Sequence, residues 1–211
     1  MKLTADRIID AGMAVFAESG YHGLSMRQVA ERLNAYAGSL YYHVPSKSAL
    51  LQLMADRLAL QAYDAGTAAL TALPEQADWK DRVEAQAASL RRILRQHPGG
   101  AVMFAGSPKV LSPGALSLME RLLQTLADAG LPKDHRSVAA DTLLSHITGF
   151  VLQEQSDPPA VPVTAQEASE LHERFPMTIA AASAHDEEER FILSVRLICV
   201  SIASSRVPGA D

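Results

Sequence analysis

Cysteine is nearly absent: Cys199 is the only one in 211 residues, so no disulfide can form within the chain. No Cys/His cluster has the spacing of a zinc site. Cys199 lies in the apolar stretch FILSVRLICVSIA, where a thiol is expected to behave as a small buried hydrophobe. Aromatics are scarce at 5%, and the β-branched and aromatic runs that mark strands are few. No uninterrupted apolar run approaches the roughly 18 to 20 residues of a membrane span. The amino terminus shows no signal-peptide pattern, because charges fall inside an amphipathic repeat. A cytoplasmic protein with no membrane association is expected. Also missing are a phosphate loop, paired carboxylates, and a Ser/His/Asp or Cys/His arrangement. His146 and Glu154 are eight positions apart on one helix and form no evident dyad. The expectation is therefore no enzyme, no cofactor and no metal.

Ala and Leu are conspicuous among the 48% of apolar residues, and both favour helices. The length allows one large domain or two small ones. Thr4 is placed to cap a helix in which Ile8, Ile9, Met13, Val15 and Phe16 recur at helical spacing, and Gly20 stops it. Ser25 caps a second helix that turns Val29, Ala30 and Leu33 inward. A third runs from near Tyr36 to His43-Val44-Pro45, where proline ends it. Ser46 caps a long fourth helix, Ser48 to Leu73, closed by Pro74. Further helices are expected from Trp79 to about His97, from Ser112-Pro113 to Ala129, from Asp134 to Gln155, and from Glu187 to about Ser205. Residues 101–112 read as irregular or a short helix, interrupted at Gly106-Ser107-Pro108. Ser156 to Thr164 holds three prolines in nine residues and reads as loop. Residues 165–184 read as a short helix and a mobile connection. The fold class is all-α, with nine or ten helices.

The stretch from Leu24 to Lys47, LSMRQVAERLNAYAGSLYYHVPSK, carries the strongest functional signal. Two short helices joined by a tight turn have the layout of a helix-turn-helix, whose second helix enters the DNA major groove. Ser25 and the amides around Met26 and Arg27 form a phosphate site at a helix N-terminus. Arg27 and Gln28 point outward if Val29 and Leu33 point inward. In the third helix Leu40 is the buried anchor, which leaves Tyr36, Ala37, Gly38, Ser39, Tyr41 and Tyr42 outward. Ala37 and Gly38 let the backbone approach base edges, and Ala37 suits a thymine methyl. Ser39 and Tyr41 can reach bases or phosphates, with Tyr41 alternatively packed in the three-helix core. Long hydrogen-bonding side chains are few, so base reading depends on Tyr36, Gln28 and Arg27. Arg32 reads as a solvated surface charge.

A net charge of −5 at first opposes a nucleic-acid partner. In residues 1–48, however, five cations (Lys2, Arg7, Arg27, Arg32, Lys47) face four anions (Asp6, Asp10, Glu18, Glu31), so the acidic surplus lies in the rest. A near-neutral head on an acidic body permits phosphate contacts with modest non-specific affinity.

The first 50 residues resemble the TetR family of bacterial transcriptional regulators. The carriers are AVFAESGYHGLSMRQVAERL followed by SLYYHVPSKSALL. LYYHVPSK matches the family's Leu-Tyr-x-His/Tyr-Phe/Val-x-x-Lys signature, at the right distance from a Gly-x-x-x-x-(Ser/Thr) helix start. Trp79 with its helix, PGGAVMFAGSP, and residues 147–155 extend the resemblance to the tetracycline-repressor branch over residues 1–156.

The resemblance implies a helix-turn-helix DNA-binding domain at 1–46 and a ligand-binding and dimerisation domain at 47–211. It implies that Tyr42, His43 and Lys47 grip the DNA backbone, His43 having capping as its other reading. A homodimer would read a palindromic operator on double-stranded DNA with heads about 34–36 Å apart. The faces Ala139–Leu152 and Phe191–Ala203 are the natural partners of a four-helix interface. Positions carried over from related repressors place Tyr63, Gln86, Leu90, Met103, Phe104, His146, Phe150 and Gln153 around a small-molecule effector. Phe104 stands where the tetracycline repressor has a magnesium-binding histidine, and Gln153 where it has a glutamate. Neither can ligate magnesium, which wants hard charged oxygens, and the arginine of that site is missing from Gly106-Ser107-Pro108. A mostly apolar organic effector fits better than a magnesium–drug chelate. The expected function is a repressor released from its operator by that effector. The alternatives are an activator or effector-independent DNA binder, and an all-helical enzyme.

Overall fold

Thr4 opens the first helix of the computed structural model as its side chain suggests, accepting from Arg7 N–H at 3.4 Å. The structure describes residues 2–106, 112–156, 162–182 and 184–205, and those residues form eleven helices. The first, α1 (Ala5–Gly23), turns Ile8, Ile9, Ala11, Val15 and Phe16 inward. Gly20 interrupts it at φ +67, and one further turn ends where Leu24 N–H returns to Gly20 O. A side chain is strained at that φ, so glycine permits the break.

Ser25 caps α2 (Met26–Arg32), Ser46 caps α4 (Lys47–Thr71), and Ser112 caps α7 (Pro113–Asp128), which begins with proline. Asp78 and Asp81 form a capping box at the start of α5 (Trp79–Gln96). Between α2 and α3 (Ala37–Tyr41), Asn34 takes φ +50 and Ala35 N–H bonds Ala30 O at 2.9 Å. This is the left-handed C-terminal turn that asparagine tolerates among non-glycine residues. The remaining helices are α6 (Gly100–Ala105), α8 (Lys133–Glu154), α9 (Ala165–Arg174), α10 (Pro176–Ala182) and α11 (Glu187–Ser204).

Residues 101–112 thus contain a helix in their described part, and residues 165–184 contain two, which accounts for the excess over nine or ten. Residues 162–181 are exposed throughout, so α9 and α10 lack the buried stripe that made the other helices readable. The expected interruption at Ser107-Pro108 and most of the proline-rich loop, residues 157–161, lie outside the described residues.

The α4 helix is the axis of the molecule. It packs against α1, α5, α6 and α7, while α8 lies on α5, α6 and α7, and α11 on α5 and α8. At 1.5 Å per residue its 25 residues span about 37 Å, long enough to run from the small head into the body. One apolar cluster is continuous from Ile8 through Leu50, Met54 and Leu58 to Leu94, Leu143 and Phe191. Gly12 lets α1 approach α4, since a Cβ there would meet Met54 Sδ at 2.9 Å. Arg57 on α4 pairs with Asp6 at 2.6 Å and Asp10 at 3.0 Å on α1. Cys199 is buried on α11, and burial pushes its thiol pKa up to about 11.

Candidate nucleic-acid interface and effector cavity

In α3 a single side chain, Leu40, is fully buried and docks the helix on the head core. Its neighbours point away: Tyr36 is 84% exposed, Tyr42 89% and Tyr41 50%. Tyr41 is therefore at the surface rather than in the three-helix core. Ser39 is exposed, with its hydroxyl donating to Tyr36 O at 2.6 Å. Gly38 lies under the Tyr36 ring, and a Cβ there would come within 2.7 Å of Cε1. Ala37 packs partly on the core beside them. The result is a short, outward helix with a thin, small-residue edge bracketed by phenols.

The flanking residues are partly committed already. Ser25 Oγ accepts from Gln28 N–H at 3.3 Å and donates to Gln28 Oε1 at 2.8 Å, so Gln28 is half-buried at the start of α2. Arg27 is exposed and pairs with Glu31 one turn on at 2.9 Å. Arg32 is tied to Glu18 of α1 at 2.7 Å, a surface link rather than a free charge. His43 is half-buried with its ring edge-on to Tyr42. Lys47 Nζ donates to Tyr21 O at 2.9 Å and lies 5.0 Å from the Tyr21 ring centroid, binding the start of α4 to the end of α1. An ammonium has three donors, so this contact leaves capacity for a phosphate.

In the body, a small cavity lies between α5, α7 and α8, lined by Gln86, Leu90, Leu118, Arg121, Leu143 and Ile147 among others. Measured to water centres it holds about 20 Å³, room for about one water. Drug-sized ligands occupy about 300–1,000 Å³, so the walls must part to admit one. Gln86 and Leu90 are on the cavity wall, and Tyr63 joins it through Arg121. Met103 and Phe104 are buried on α6. His146 and Phe150 face α11 instead: His146 bonds Ser194 at 2.6 Å, and both rings pack on Phe191. Burial holds the His146 imidazole below its ordinary pKa. Gln153 is exposed. Among the described residues no group of three His, Cys, Asp or Glu side chains converges.

Sequence reading missed four polar residues that organise this region. Arg121 bridges α7 to α4 and α5, bonding Tyr63 O at 2.5 Å, Thr67 Oγ1 at 2.7 Å and Gln86 Oε1 at 3.1 Å. Asp56 on α4 accepts from Ser112 Oγ and from Gly114 N–H, capping α7 from another helix. Gln155 donates to Leu94 O and His97 O, at 2.9 and 2.8 Å, and accepts from Ala101 N–H. Arg91, nearly fully buried, pairs with Glu154 at 2.6 Å and with Glu188. For the two arginines a signal existed: each falls on a helical apolar face, beside Ala87-Leu90-Leu94 and Leu118-Leu122-Leu126. Asp56 and Gln155 look like ordinary polar surface in the sequence.

The long central helix joining an outward-facing helix-turn-helix to a helical body defines a class of DNA-binding regulator. The chain belongs to the TetR family: it matches "Bacterial regulatory proteins, tetR family" over residues 8–54 and "Tetracyclin repressor-like, C-terminal domain" over residues 71–203. An "HTH-type transcriptional regulator" of Saccharopolyspora erythraea is 32% identical over 72% of this chain and 61% of its own length. The "Tetracycline repressor protein class G" of Vibrio anguillarum is 31% identical over 74% of this chain and 70% of its own. Among solved structures, the Streptomyces coelicolor TetR family protein ActR in complex with actinorhodin superposes with a TM-score of 0.76. It is 26% identical, covering 97% of this chain and 99% of that one. The chain spans under two thirds of the first of these relatives. No helix among the described residues is long and apolar enough to cross a membrane.

Proposed function

We propose that this chain is a DNA-binding transcriptional repressor, released from a palindromic operator by a small, mostly apolar organic effector, and that it is not an enzyme. The observation that carries the reading is α3, anchored by buried Leu40 while Tyr36, Ser39, Tyr41 and Tyr42 face solvent. A buried anchor with small residues at the edge is what insertion into a major groove requires. In this reading residues 1–46 form the DNA-binding head and 47–211 the effector-binding and dimerisation body, with action in the cytoplasm, where the operator is. Tyr42, His43 and Lys47 hold phosphates, while Tyr36, Arg27 and Gln28 read bases.

The body pairs as a homodimer through α8 and α11. Val138, Leu197 and Val200 are 65%, 70% and 58% exposed. Val138 lines a groove with Leu131, Ala139, Ile198 and Ile202, and Leu197 and Val200 are sequence neighbours of its α11 wall. Effector binding opens the cavity by moving α7 and α5 and shifts the population toward a conformer with another head spacing. It releases DNA only as far as it prefers that conformer. Gly99 supports a path to the head, for a Cβ there would strike the Phe16 ring of α1 at 2.6 Å. Any wall movement that displaces the α5–α6 turn therefore presses on α1.

The test is selection of an operator from a random duplex library, followed by fluorescence anisotropy. Tyr42→Ala and Lys47→Ala should each weaken operator binding about tenfold, or about 1.4 kcal/mol, with small-molecule binding unchanged. Wild-type affinity in both variants would contradict the assignment. Tyr42 is the cleaner position because Lys47 also holds Tyr21.

A further inference from the structure

Two arginines are drawn into the body, and they are treated differently. Arg91 is neutralised by Glu154 and Glu188 and lies over the Phe191 ring, 4.7 Å from its centroid. Arg121 lines the cavity, yet no carboxylate among the described residues comes within ion-pair distance of it. Its Nε is held by Gln86 and its Nη1 by Tyr63 O and Thr67 Oγ1, all neutral acceptors. Its third nitrogen, Nη2, has no hydrogen-bond partner among the described residues. The guanidinium also lies over the Tyr63 ring at 4.4 Å, and the bare backbone of Gly66 makes room for it. Burial pulls its pKa below the ordinary value, against upward pulls from Tyr63 and Asp64. A partly desolvated cation held by neutral groups, with its third nitrogen open to solvent, gains from an arriving anion, and its geometry is set in advance for a carboxylate.

We propose that the effector is an acid: an apolar ring system bearing a carboxylate or comparable anionic group that pairs with Arg121 at the junction of α4, α5 and α7. The inference rests on the reading of the cavity as the effector site and specifies its chemistry. The apolar lining from Leu90, Leu118, Leu143 and Ile147 takes the rings, while Gln86, its amide nitrogen committed to Arg82 O and Thr125 Oγ1, serves to position Arg121. Gln86 Nε2 already donates to Thr125 Oγ1 at 2.9 Å, which keeps its oxygen turned toward Arg121.

The experiment compares 2-naphthoate with its neutral counterpart 2-naphthamide by titration calorimetry on the full chain. The acid should bind the wild type at least about tenfold more tightly. Arg121→Gln should reduce that ratio to within about twofold by weakening the acid alone, and Arg121→Lys should keep a preference for it. Equal affinities in the wild type, preference for the amide, binding of neither probe, or an acid preference that survives Arg121→Gln would each overturn the proposal. Circular dichroism reports whether each variant folds; Arg121→Met serves as a second neutral variant, and the wild-type ratio decides if both fail. Operator anisotropy without probe separates the two readings. Loss of the acid preference with operator binding intact removes only the acid, whereas no operator binding removes the regulator reading whatever the cavity prefers.

Discussion

Arg91 shows what a buried charge does when it is fully matched. Its side chain is 4% exposed and that of Glu154 is 6% exposed, with Glu188 closing the far side. Burial alone would lower its pKa, but the two carboxylates outweigh this and hold it above the ordinary value. Removing Glu154 leaves the buried cation balanced only by the largely exposed Glu188. Glu154→Ala should therefore cost about 3–5 kcal/mol in chemical denaturation at fixed protein concentration. Glu188→Ala should cost less, since Glu188 is 60% exposed and solvent can replace it. Equal losses from the two would contradict this division. In the sequence, Arg91 and Glu154 are 63 positions apart, and nothing marks them as partners.

Among the elements, α4 and α7 are joined by polar ties at both ends of their contact. Asp56 caps the start of α7, and a Cβ at Gly114 would fall 2.6 Å from Asp56 O, so only glycine fits beneath the cap. Further along, Arg121 of α7 reaches Tyr63 and Thr67 of α4. Loss of a helix cap of this kind costs about 1–2 kcal/mol. Asp56→Ala should lower the thermal midpoint accordingly, read by circular dichroism, and Asp56→Asn should recover part of it. A midpoint unchanged in Asp56→Ala would mean that Ser112 caps α7 unaided. Most helix ends were legible because capping is local: Thr4, Ser25, Ser46 and Ser112 each bond an amide within three residues. Asp56 was not, because it caps a helix 56 positions ahead of it.

For the whole molecule, the proposed homodimer covers apolar residues that α8 and α11 leave exposed. Leu197 is 70% exposed, with Val200 beside it on the same helix. Leu197→Glu should convert the dimer to a monomer in sedimentation velocity while leaving the helical spectrum intact. Operator affinity should then fall by two orders of magnitude or more, since a single head reads half a site and loses the gain of linked binding. A variant that stays dimeric would place the interface elsewhere. The acidic body adds no attraction for DNA, and two of the five cations in residues 1–48, Arg27 and Arg32, are already paired with glutamates.

Helix periodicity, capping residues and the LYYHVPSK element suffice for the all-α class, most helix bounds and the outward set on α3 apart from Ala37, which packs partly on the core. These depend on contacts within a few residues, and spacing along the chain encodes them directly. Tertiary packing decided the rest. It closed the cavity to about one water and put Arg121 on its wall. It also turned His146 and Phe150 toward Phe191. Each of these depends on which face of one helix meets another far along the chain. A stripe of apolar residues says that a face is buried, and only the assembled helices say against what.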